Sequence, residues 1–81
     1  MHIQSIENEL LLNQHPIITV KVRGKKEELD HLMSDIQDHF DLAHDEWTPE
    51  LAMLTMTFDY KKGEQTLTQI KRFIKGYIEN N

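Results

Sequence analysis

The sequence predicts an α+β fold, a two-layer sandwich with helices packed on one face of a sheet. Three observations lead there. Ile17 to Arg23 and Leu51 to Tyr60 alternate apolar and polar residues with a period of two, as half-buried strands do. Lys25 to Phe40 carries one apolar stripe at helical spacing, and residues 65–79 carry another. Elements that each have a single apolar side are most economically buried against one another as two layers.

The 81 residues suit a single domain, 1–81, with no linker and no internal repeat. A chain of this size buries only roughly 60–65% of the surface its unfolded form exposes, so its core is thin. It has no cysteine, which excludes disulfide staples and zinc–thiolate sites. No stretch approaches the roughly 20 apolar residues of a membrane span. Met1-His2-Ile3-Gln4-Ser5 lacks the basic and apolar regions of a secretion signal, so a cytoplasmic setting and no membrane contact are expected.

Along the chain, residues 3–13 admit two readings. Ile3, Ile6 and Leu10 fall at helical spacing and Ser5 suits a helix cap, which favours a helix. The alternative is a strand, in which Leu10-Leu11-Leu12 leads into a pairing with the next segment. Pro16 suits the entry of the next strand, whose two faces are Ile18, Val20, Val22 and Ile17, Thr19, Lys21, Arg23. Gly24 turns the chain into a helix with Leu29, Leu32, Met33, Ile36 and Phe40 on its stripe. Glu27 and Glu28 suit its positive N-terminal end, whereas Lys25 and Lys26 do not, so the helix is expected to start after them. Asp41 to Trp47 reads as a short strand or as irregular chain, and Thr48-Pro49-Glu50 as a hairpin turn. In the following strand Leu54, Met56, Phe58 and Tyr60 share one face. Lys61-Lys62-Gly63-Glu64 turns into the last helix, with Leu67, Ile70, Phe73, Ile74, Tyr77 and Ile78 on one side.

The expected order is therefore (α)-β-α-β-β-α, with a right-handed first crossover. It matches a ferredoxin-like or truncated split β-α-β arrangement lacking its last strand, for which the N-terminal segment substitutes if it is extended.

Ile18-Thr19-Val20-Lys21-Val22-Arg23-Gly24-Lys25-Lys26-Glu27-Glu28-Leu29 resembles the opening of short uncharacterised Gram-positive bacterial proteins. In those, a Val/Ile strand runs through Gly into a Glu-Glu-Leu/Ile helix start. It is similar also to small regulatory ligand-binding domains of ferredoxin-like topology, which bind an amino acid beside the glycine loop. The resemblance implies a fold and no residue role.

The net charge of −5 is unevenly spread. Glu27, Glu28, Asp30, Asp35, Asp38, Asp41, Asp45, Glu46 and Glu50 put nine carboxylates between positions 27 and 50, with no Lys or Arg. Basic residues flank this segment on both sides, at Lys21 to Lys26 and at Lys61 to Lys75. A plain reading is a solvated surface. The functional one is a docking surface for a basic protein partner, with Asp35, Asp38, Asp41, Asp45 and Glu46 supplying charge and Trp47 the anchor. In size and charge the chain is similar to small acidic inhibitors from phages and mobile elements, which implies a nucleic-acid-handling partner. Direct binding of nucleic acid by the acidic segment is not expected.

Other chemistries find less support. His31, Asp35 and Asp38 lie along one helix, with His39, Asp41, His44 and Asp45 beyond it, but such residues fill polar helix faces without a metal. No nucleophile turn accompanies Ser5 or Ser34, so no catalytic residue, metal or cofactor is assigned and no enzymatic activity is expected. Thr19, Lys21, Met53, Thr55 and Thr57 form a polar sheet face without the aromatics that stack on RNA bases. Such a face is solvated, covered by the N-terminal segment or covered by a second subunit, which leaves a homodimer open. The alternative function is a small-ligand sensor that dimerises and binds its effector near Gly24.

Overall fold

A computed structural model describes residues 1–10, 16–59 and 67–80. Strands β1 (His2–Leu10) and β2 (Pro16–Arg23) are followed by helix α1 (Lys26–His39) and strand β3 (Leu42–Thr48). A single 3₁₀ turn (Pro49–Leu51), strand β4 (Met53–Asp59) and helix α2 (Leu67–Glu79) complete the chain. The four strands form one antiparallel sheet in the order β1-β2-β4-β3. Since β4 runs antiparallel to both of its neighbours, β2 and β3 are parallel to each other with β4 between them.

Alternation along the two central strands sets the layers. Ile18, Val20 and Val22 of β2 face the same side as Leu54, Met56 and Phe58 of β4, and all six are buried. Leu29, Leu32 and Ile36 of α1 and Ile70 and Ile74 of α2 complete this core, so both helices cover one face of the sheet. Burying a side chain of this size contributes about 1.5–3 kcal/mol. Phe40 packs edge-on against both Phe58 and Phe73, which ties the end of α1 to β4 and to α2.

The N-terminal segment is the main correction. It is a strand where helical spacing favours a helix, so the order is β-β-α-β-β-α among the described residues. The cause is a bulge. The pairing register slips between Ile3 and Ser5, leaving Gln4 as an extra residue, so that Ile3 stands opposite Val22 and Ile6 opposite Val20. Two residues three apart thereby share the core face, which mimics a helical period in a strand. The strand alternative for this segment therefore holds, with β1 at the sheet edge beside β2. Residues 11–13 of the segment lie outside the described residues, as do Tyr60, the Lys61–Glu64 turn and residues 65–66.

Two element starts differ from expectation, and one open reading is resolved. The first helix starts at Lys26 instead of after it, with Lys25 extended as its N-cap. An ion pair of 3.0 Å from Lys26 Nζ to Asp30 one turn on offsets the unfavourable placement of that cation. Leu51 belongs to the 3₁₀ turn, and β4 begins only at Met53. The ambiguous stretch before Trp47 is a strand, again bulged, at Ala43 between Leu42 and His44.

Candidate functional site

The acidic segment supplies α1, the turn after it, the β3 edge and the 3₁₀ turn, and all nine of its carboxylates are exposed. Local geometry fixes where each one points. On α1, Leu29, Leu32 and Ile36 face the sheet, so Glu27 and Asp38 fall on the opposite, outer side. Glu28, His31, Asp35 and His39 repeat every three or four residues along one flank. That flank faces α2. Glu28 and Asp35 act on the Tyr77 hydroxyl, and the His39 ring lies 4.9 Å from Phe73.

The end of α1 is fastened by its own residues. Phe40 N–H donates to the Ile36 carbonyl at 2.8 Å, and His39 Nδ1–H donates to the Asp35 carbonyl, also at 2.8 Å. This second bond adds to the last turn and fixes the orientation of the imidazole. Asp35, Asp38 and Asp41 are therefore grouped at this end of the helical layer.

On β3 the charges divide. Asp45 stands opposite Met56, on the helix-covered side, while Glu46 stands opposite Thr55, on the open side. Trp47 returns to the helix side opposite Leu54, half-buried against the core. It lies at the far end of β3 from Asp41, beside the first turn of α1. There an open cleft of about 510 Å³ is bounded by Met1, Gly24, Lys25, Lys26, Glu27, Glu28, Trp47 and Ala52. The carboxylates that share this cleft with Trp47 are Glu27 and Glu28, and not the Asp35–Asp38–Asp41 group.

A second concavity, about 460 Å³, runs between the helices and is lined by Met1, Glu28, His31 and Tyr77. Removal from water, and then the Asp35 and Glu28 charges, raise the Tyr77 hydroxyl above its ordinary value. Sequence periodicity places Tyr77 on the core stripe and gives it no polar neighbour. The Glu28–His31–Asp35–His39 spacing on one helix flank is the signal that foreshadows the charge of Asp35 acting on it, and only His31 and Asp35 stand out from the sequence as a pair. Among the described residues no three His, Asp or Glu side chains lie close enough together to hold a metal ion. None of the described helices is long and apolar enough to cross a membrane.

Comparison with known proteins gives no match to a family model, to a curated protein or to a solved structure.

Proposed function

We propose that the protein is a non-catalytic binding protein whose acidic helical side docks on a basic surface of a protein partner. One observation carries this reading. Every carboxylate from Glu27 to Glu50 is exposed, and no Lys or Arg lies among them in the chain. Charge mainly of one sign along α1, where Lys26 is paired with Asp30, and along the adjoining edge strand steers a partner of opposite sign and rejects others. Asp35, Asp38, Asp41 and Asp45 form the charged ground of the site, and half-buried Trp47 stands away from the first three at the Gly24 end, beside Glu27 and Glu28. Glu46, turned to the other side of β3, stands apart. A nucleic-acid-handling protein, whose phosphate-binding surface is basic, is the partner class that such a surface suits best.

The fold itself assigns no role. We read it as a ferredoxin-like arrangement in which β1 takes the place of the last strand, supported by parallel β2 and β3 flanking β4. The test is charge reversal. Natural partners retained by the immobilised chain at low salt are lost to Asp35/Asp38/Asp41→Lys. Equal retention of all of them by that variant refutes the proposal.

The cleft beside Gly24 favours a second reading, a small-ligand sensor, because it lies where an effector of such a domain is expected. A ligand selective for the folded chain raises its melting temperature. Indifference to amino acids and nucleotides at millimolar concentration removes this reading.

A further inference from the structure

The open face of the sheet holds a pattern of charge that the acidic docking surface does not use. Cross-strand pairing sets its residues in rows. Reading from β1 to β2, β4 and β3, the first row is His2, Arg23, Met53, Thr48 and the second is Ser5, Lys21, Thr55, Glu46. The third is Glu7, Thr19, Thr57, His44, and Ile17 continues this face at the start of β2. The middle is therefore threonine and methionine beside two cations on β2, and each edge strand carries a carboxylate. Arg23 is held in place, its Nε–H donating to the Leu51 carbonyl at 2.9 Å. Leu51 itself, at 47% exposure, is the large apolar side chain left most open among the described residues. It borders a concavity of about 320 Å³ with Gln4, Ser5, Lys21, Arg23 and Met53.

We infer that this face binds a second copy of the chain, sheet to sheet, about a two-fold axis parallel to the strands. Such an axis lays β1 on β3 and β2 on β4 in the same rows. Glu7 then faces His44 of the second copy. Glu46 of the second copy comes over Ser5, directly beside Lys21. Arg23, Lys21 and Thr19 face Met53, Thr55 and Thr57, so no like charges are stacked. An axis running across the strands instead lays each strand on its own copy. It sets the Lys21–Arg23 stripes against each other and the Glu46 edges against each other, which is repulsive. Charge complementarity thus selects one of the two face-to-face arrangements.

The size of the face sets the strength. Four strands at about 4.8 Å spacing and seven residues at about 3.3 Å rise give a footprint of roughly 19 by 23 Å per copy. Two such faces remove on the order of 1,000 Å² of surface, the lower end of specific interfaces, so a reversible dimer is expected. The helices, with Asp35, Asp38 and Asp41, stay on its outside, and this inference does not rest on the docking role given to them.

Sedimentation equilibrium of the full chain over a range of concentrations tests it. The wild-type chain should dimerise, and Lys21→Glu should raise the dissociation constant at least about tenfold. The swap Lys21→Glu/Glu46→Lys should restore it to within about threefold. Should Lys21→Glu fail to fold by circular dichroism, Glu7→Lys at the exposed β1 edge breaks the contact with His44 and serves in its place. A chain that stays monomeric up to about 1 mM overturns the inference. So does a dimer indifferent to these substitutions, or one dissociated by Asp35/Asp38/Asp41→Lys.

Discussion

On β4, Leu54, Met56 and Phe58 are buried beneath the helices, while Met53, Thr55 and Thr57, each one residue away, remain partly open. The same backbone therefore presents two unlike surfaces. The covered one is apolar, closed by Phe40, Ile36 and Ile74, and its side chains have no alternative place to go. The open one is built of threonine, lysine, arginine and edge carboxylates. Stability is concentrated on the first face, while the second face and the outer side of α1 stay at least partly open to solvent. A thin core makes this division sharp, because few residues are left to share the load.

The largest expected effect breaks the covered face. Phe58→Ala removes a fully buried ring and should cost about 3–5 kcal/mol, enough to unfold much of the population of so small a domain. Thr57→Ala, its neighbour on the open face, should cost no more than about 1 kcal/mol, the span of strand propensity, when measured in dilute solution. Chemical denaturation of both variants checks the contrast, and comparable losses would deny it.

A smaller effect is expected in the connection into β4. Ala52 adopts a left-handed conformation, φ 49°, and its carbonyl accepts a 3.0 Å hydrogen bond from Gly24 N–H. For a residue with a Cβ this conformation costs roughly 1 kcal/mol. Ala52→Gly should therefore stabilise the chain by up to about 1 kcal/mol, less what glycine loses in unfolded-state entropy. An increased denaturation midpoint with unchanged slope is the expected result.

The smallest effect sharpens the electrostatic side of the comparison. In the folded chain Tyr77 holds its proton more tightly than a free phenol, first through desolvation and then through Asp35 and Glu28. A raised folded value favours the protonated form, so the associated stability is complete below the unfolded value near about 10. It is lost as pH rises from there through the folded value. Absorbance titration in a Tyr60→Phe background should show a raised Tyr77 transition. Asp35→Asn should lower it only in part, because desolvation is the larger cause.

Much of the fold is legible in the sequence for a physical reason. Strong period-two alternation in β2 and β4 and one stripe in each helix leave little freedom in what faces the core. The β1 segment reads as a helix because a bulge at Gln4 places Ile3 and Ile6, three apart, on one face. Periodicity alone cannot separate that from a turn of helix. Of the candidate surface, the sequence shows which residues carry charge but not the directions they take. Asp45 and Glu46 are adjacent in the chain and point to opposite sides of the sheet. Trp47 lies near the end of β3 beside Glu27 and Glu28, far from the aspartates near the end of α1. The line from Glu28 to His39 acquires its neighbour Tyr77 only when the two helices pack.

The most direct test of the acidic docking surface is the salt dependence of its affinity for a purified partner. Wild-type affinity should fall steeply as salt rises above about 0.1 M, where exposed charges are screened beyond about 10 Å. The Asp35/Asp38/Asp41→Lys variant should already bind weakly at low salt and lose little more. An affinity that is independent of salt and equal in the two proteins would contradict the assignment.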